Sequence, residues 1–157
     1  MENDLMSQTG NNREKRMEQK GGFNKIDKSD KRMYGPRGLL VCGYTEEERS
    51  TFLELIVKTE ISDISVIFAV NEDVGKTLGE LFTHEHMAGI TGPSELPRAV
   101  IMSGLSQNEL HSLMGTYRKE GFVSQIWASL TPTSETWTLK ALLIELLAEA
   151  RAMQKKA

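Results

Sequence analysis

Cys42 is the one thiol in the chain, and it ends an apolar run just ahead of a helix-start signature, Thr45-Glu46-Glu47-Glu48. A thiol before a helix N-terminus can have its pKa lowered and act as a nucleophile. Inside an apolar run, with no second cysteine to resolve an oxidised form, a buried structural role accounts for Cys42 better. Gly75-Lys76-Thr77 lies between an expected strand and an expected helix, the setting of a phosphate-binding loop. Val70 stands where the first glycine of such a loop belongs, and Glu72 and Asp73 would repel a phosphate, so an ordinary helix start is the better account. His84 and His86 flank Glu85, but positions i and i+2 of a helix point about 200° apart and cannot share an ion. With His111 distant in sequence, no metal site is implied. Ser103, the counterpart of Cys42, lacks the G-x-S-x-G setting of a hydrolase nucleophile. These stretches imply no cofactor and no catalytic set, and they argue against an enzyme.

The elements that carry these residues come in duplicate. Pro36-Arg37-Gly38-Leu39-Leu40-Val41-Cys42-Gly43-Tyr44-Thr45-Glu46-Glu47-Glu48 returns, degenerate, sixty-one residues later as Pro97-Arg98-Ala99-Val100-Ile101-Met102-Ser103-Gly104-Leu105-Ser106-Gln107-Asn108-Glu109. Each copy reads as a Pro-Arg lead-in, an apolar run of strand length, a glycine turn, and Thr-x-x-Glu or Ser-x-x-Glu opening an amphipathic segment. The alignment runs without gaps from Pro36–Lys58 against Pro97–Lys119. It needs a two-residue slip to place Phe68-Ala69 on Trp127-Ala128, then recovers its offset at Thr77-Leu78 and Thr138-Leu139.

Each half therefore reads as strand-helix-strand-helix. In the first half the pattern predicts a strand from Gly38 to Cys42, a helix from the Thr45 cap through about Lys58, a strand from Ile64 to Val70 and a helix from Thr77 to about Met87. Gly89 to Ser94 reads as the connection between halves. The second half predicts a strand from Ala99 to Met102, a helix with Leu110, Leu113, Met114 and Tyr117 on one face and Gly121 at its C-terminal cap, and a strand from Phe122 to Ala128. After a polar loop from Ser129 to Ser134 comes a long helix with Leu139, Leu142, Leu143, Leu146, Leu147 and Ala150 on one stripe.

A strand-helix-strand crossover makes its two strands parallel. The expected fold is α/β: a three-layer sandwich from two βαβα repeats (36–88 and 97–151), with a four-stranded, mainly parallel sheet of order 2-1-3-4. A pseudo-two-fold axis along the strands would keep all four parallel and put the helices of the two halves on opposite faces, although a strand-swapped or antiparallel arrangement stays open. Winding would then reverse between strands 1 and 3, where ligands of such sheets sit. The crevice there would be lined by Cys42, Gly43, Tyr44 and Thr45 from one half and Ser103, Gly104, Leu105 and Ser106 from the other. Free backbone N–H groups at two helix starts would suit a small anionic ligand, nucleotide or phosphate-like. The Thr45–Glu48 and Ser106–Glu109 spacings are equally those of helix caps. Trp137, at the start of the last helix, either packs on the sheet or offers a partner an anchor.

At 157 residues and 39% hydrophobic content the chain suits one ordinary domain plus a tail. Residues 1–35 carry eight Lys/Arg against six Asp/Glu, leaving eleven against sixteen for the rest. This polar segment reads as a disordered tail, since it offers little apolar surface to offset ordering entropy. An acidic body argues against nucleic acid as a partner. No apolar run approaches the ~20 residues of a membrane helix, and a single cysteine with no secretory leader points to the cytoplasm.

Leu39 to Glu48, Ile67-Phe68-Ala69-Val70 and Thr77-Leu78-Gly79-Glu80-Leu81 resemble an uncharacterised bacterial domain family of about sixty residues. The second half is similar to it too, through Ser103-Gly104-Leu105-Ser106, Trp127-Ala128 and Trp137-Thr138-Leu139-Lys140-Ala141-Leu142-Leu143. The resemblance implies a tandem pair and transfers no activity. The expectation is a non-enzymatic protein-interaction or regulatory module whose partner is another protein or a second copy of itself, a dimer through the apolar last helix being possible. Small-ligand binding in the crevice is the alternative.

Overall fold

The computed structural model describes residues 31–156, so residues 1–30 of the tail expected over 1–35 lie outside them. Along the chain come β1 (Gly38–Cys42), α1 (Glu46–Thr59), β2 (Ser65–Phe68), a 3-10 turn (Asn71–Gly75) and α2 (Leu78–Leu81). They are followed by β3 (Ala99–Ser103), α3 (Gln107–Lys119), β4 (Ile126–Ser129), a second 3-10 turn (Ser134–Thr136) and α4 (Leu139–Lys156). Arg32 makes an isolated antiparallel bridge to Ser106, and Ser106–Asn108 group with Arg32, apart from the body described below.

The starts of the helices follow local chemistry. At α1, Thr45 Oγ1 accepts from Glu48 N–H (3.2 Å) and Glu48 Oε1 accepts from Thr45 N–H (3.0 Å), a closed capping box. Glu46, Glu47 and Glu48 sit in its first turn, where the helix dipole favours anions. Thr77 caps α2 through Glu80 N–H, and Thr138 Oγ1 accepts from Ala141 N–H in the first turn of α4.

The four strands stand in the order β2-β1-β3-β4. Within each half the pair is parallel: Leu40 lies opposite Ile67 and Ile101 opposite Ala128. Between halves it is antiparallel, with Gly38 opposite Ser103, Leu40 opposite Ile101 and Cys42 opposite Ala99. The all-parallel arrangement is thus corrected, and the cause lies after β2. The helix expected to reach Met87 stops at Leu81, and the chain then runs alongside β2 in the same direction. Met87 N–H donates to Val66 C=O (2.7 Å), Phe68 N–H to Ala88 C=O (2.9 Å) and Asn71 N–H to Pro93 C=O (2.9 Å). This return leaves the chain at the carboxyl end of β1 and β2, so β3 starts opposite Cys42 and runs the other way.

The pseudo-two-fold axis therefore stands perpendicular to the sheet, and each face keeps one helix from each half. Phe52, Leu55 and Ile56 of α1 and Leu113 and Tyr117 of α3 pack on Leu39, Val41, Val100 and Met102. On the other face Leu78 and Leu81 of α2 and Leu139, Leu142 and Leu143 of α4 pack on Leu40, Cys42, Ala99 and Ile101. The three layers are as expected, but the assignment of one half to each face is not. β1 and β3 are buried throughout, which is why their sequences show no alternation.

The axis is visible in reciprocal contacts. Thr77 bridges Thr138, Leu78 N–H donates to Trp137 C=O (3.0 Å), and Leu139 N–H donates to Lys76 C=O (2.9 Å).

Candidate functional site

Because β1 and β3 are antiparallel, their carboxyl ends lie at opposite ends of the sheet. Cys42, Gly43, Tyr44 and Thr45 leave one end and Ser103, Gly104 and Leu105 the other, with Ser106 next in the chain. The structure does not bring the two glycine turns into one crevice. Most of these residues are interior: Cys42, Tyr44, Ser103, Gly104, Leu105 and Ser106 are buried, Gly43 is half-buried and Thr45 is exposed. Burial, and secondarily the charge of Asp73, pushes the Cys42 thiol up to about 12, so it is protonated and inert at neutral pH.

The glycines face protein backbone. Gly43 has φ +81°, and a Cβ there would stand 2.5 Å from Leu96 O and 2.8 Å from Pro97 C. Gly104 has φ +70°, and its Cβ would stand 2.6 Å from Gly35 O and 2.9 Å from Arg37 N. The turn of each half is thus closed over the Pro-Arg lead-in of the other, where a ligand would otherwise approach.

The arginines of those lead-ins complete the exchange. Arg37 forks onto Glu109 with both contacts at 2.8 Å, and also donates to Gly104 O (3.1 Å) and Ser62 O (2.7 Å). Arg98 donates to Glu48 Oε1 (3.0 Å) and, through Nε, to Tyr117 Oη (3.1 Å), with its guanidinium 4.0 Å from the centre of the Tyr44 ring. Glu48 and Glu109 are equivalent positions, so each half's arginine reaches the helix-start glutamate of the other. Burial works to raise the Glu48 carboxyl, but Thr45 N–H and the Arg98 guanidinium outweigh it and hold it below the ordinary carboxylate range. Burial works to lower Arg98, and the Tyr117 hydroxyl with the nearby Tyr44 and Glu48 outweighs that, leaving it raised. For Arg37 the Glu109 bond dominates and raises it.

Each clasp leaves one buried nitrogen without an acceptor among the described residues, Nε of Arg37 and Nη2 of Arg98. Beside Arg98 opens a cleft of about 360 Å³ lined by Glu47, Glu48, Thr51, Glu120, Gly121 and Val123. Its carboxylates outnumber its one cation, which is already paired, so the field there disfavours an anion. Beneath it Tyr44 Oη donates to Gln125 Oε1 (2.9 Å), and Tyr117 Oη bonds Val123 O.

The remaining candidates have structural partners. Lys76 Nζ pairs with Asp73 Oδ1 (3.1 Å), and Asp73 Oδ2 accepts from Val70 N–H (2.9 Å), so that loop is closed on its own acid. His86 lies beyond α2 and its Nδ1 accepts from Val66 N–H (3.0 Å). No group of three or more His, Cys, Asp and Glu among the described residues could hold a metal ion. Trp137 is 37% exposed at the start of α4.

Sequence reasoning passed over Arg49. It is buried on α1, donates to Gly89 O (3.1 Å) and Ile90 O (2.8 Å) and lies over the Phe68 ring, so it holds the segment that returns along β2. Burial lowers its pKa, only partly offset by Glu46. The signal was present: the equivalent position in the second half is Leu110, and a charge replacing a core leucine needs buried acceptors.

Fold and site together define a two-half α/β sandwich whose repeated motif joins one half to the other. A domain of unknown function (DUF3783) is found at residues 98–153, which is the second half. No curated protein and no solved structure matches the chain. Among the described residues no helix is long and apolar enough to cross a membrane.

Proposed function

We propose that this protein is a non-enzymatic protein-interaction or regulatory module, cytoplasmic, built as one domain from a tandem pair of the DUF3783 unit over residues 36–88 and 97–151. The observation that carries this reading is the solvent side of α4. Its buried stripe of Leu139, Leu142 and Leu143 is matched on the outside by Trp137, Ala141, Ile144 and Ala148, all exposed, with Ile144 at 59%. Within α4, Ala141, Ile144 and Ala148 fall at i, i+3 and i+7, an apolar line along the helix, and Trp137 precedes them in extended backbone. A lone exposed apolar residue means little, but a line headed by tryptophan suits the apolar face of a partner protein. Turns and arginines that could have served a ligand are instead engaged in joining the halves, which supports the same reading.

The test is affinity capture with the full chain against a Trp137→Ala, Ile144→Ser form, read by quantitative mass spectrometry. A hot-spot tryptophan contributes about 2 kcal/mol, so the double variant is expected to lose its partner about thirtyfold while its melting temperature holds. An unchanged set of captured proteins would contradict the reading.

A further inference from the structure

The outer edges of the sheet are finished differently. Along β2, Val66 N–H, Val66 C=O and Phe68 N–H all bond to the returning segment His86–Ala88. Along β4, Ile126 N–H donates inward to Arg98 C=O (3.4 Å) and Leu130 N–H inward to Met102 C=O (2.8 Å). Strand alternation then turns the N–H and C=O of Gln125, Trp127 and Ser129 outward. Among the described residues no group bonds to the outward edge of Trp127 or Ser129. In the second half the chain after the 3-10 turn runs on as α4, and nothing equivalent to His86–Ala88 returns along β4.

Natural sheets guard such an edge with lysine, proline or an inward charge. Here residues 121–134, from Gly121 to Ser134, contain no charged side chain, and β4 itself is Ile-Trp-Ala-Ser. The Trp127 ring packs edge-on against Tyr117, with ring centres 5.1 Å apart.

We propose that the β4 edge is covered by the β4 edge of a second copy of this chain, antiparallel, about a two-fold axis at Trp127. The outward groups are self-complementary about that residue: Trp127 meets Trp127 of the second copy, and Gln125 meets its Ser129. All the outward groups then find donors and acceptors in the narrow-pair geometry of an antiparallel ladder. The uncharged stretch sets no like charges against each other across the axis. Inside one chain β1 and β3 already meet in the same antiparallel way about a perpendicular axis, and the dimer continues that sheet outward. This contact is separate from the α4 stripe and stands or falls independently of it.

Sedimentation of the full chain over a concentration series, with amide exchange read at Trp127 and Phe68, tests this. A monomer–dimer equilibrium is expected in which the Trp127 amide slows at least about tenfold in the dimer while that of Phe68 is unchanged. Ser129→Pro removes one outward N–H and no inward one, and is expected to weaken the dimer at least about tenfold with the monomer's melting temperature retained. Three results would overturn the proposal on the unmodified chain alone. They are a monomer at every concentration, a dimer whose Trp127 amide exchanges as in the monomer, or a monomer whose Trp127 amide is already protected by its own chain.

Discussion

At the β2 side of the sheet a buried arginine, a histidine acceptor and a returning segment close the last strand, while at the β4 side the equivalent of that arginine is Leu110 and no described residue bonds to the strand's outer edge. At the centre, by contrast, the halves match. Gly43 and Gly104, Arg37 and Arg98, Glu48 and Glu109, Thr77 and Thr138 do the same work on either side of the axis. Sequence identity between the halves is thus concentrated where one half touches the other, and divergence where each half meets its surroundings. A repeated glycine turn before a helix invites a ligand reading, yet here the repetition reports an internal contact.

The glycines should show the largest effect. Gly43→Ala and Gly104→Ala each force a side chain into a left-handed turn and within 3 Å of backbone in the other half. A loss of about 3 kcal/mol in urea unfolding is expected for each. Near-equal losses would support an exchange between halves, and a loss from only one would break it.

Next come the arginines. Arg37→Ala strands Glu109 and two carbonyl oxygens and is expected to cost about 3 kcal/mol, while Arg98→Ala, with a partner 35% exposed and the open cleft beside it, should cost about 2. The same unfolding series ranks them, and a reversed order would mean that the cleft side is the tighter clasp.

Arg49→Leu, which installs the second half's residue in the first, is smaller. It leaves Gly89 O and Ile90 O without their donor and should cost about 1–2 kcal/mol. Amide exchange at Val66 and Phe68 should quicken toward that of a bare edge, and unchanged exchange there would show that the returning segment holds without the arginine.

Much of this was legible in the sequence. The strand order, the three layers and the Thr45 cap follow from apolar runs, glycine turns and the sixty-one-residue repeat. The direction of β3 was not, because a strand buried on both faces reads the same in either direction, as Leu39–Val41 and Val100–Met102 do. Helical spacing carried the expected second helix to Met87. His86 instead bonds Val66, and Gly89, at φ +78°, lies against Phe68 O, a tertiary pairing that no local pattern announces. The candidate stretches Cys42–Thr45 and Ser103–Ser106 each begin on the last residue of a strand and run into the turn that follows it. Only the axis relating the halves decides whether they meet, and the Arg37/Glu109 and Arg98/Glu48 pairs, offset by the same repeat, were the available clue to it.

Double-mutant cycles test the exchange between halves most directly. Arg37/Glu109 should couple by about 2 kcal/mol and Arg98/Glu48 by about 1, whereas the same-half pair Arg37/Glu48 should be additive within about 0.3. Additivity across the halves with coupling inside one would contradict the account.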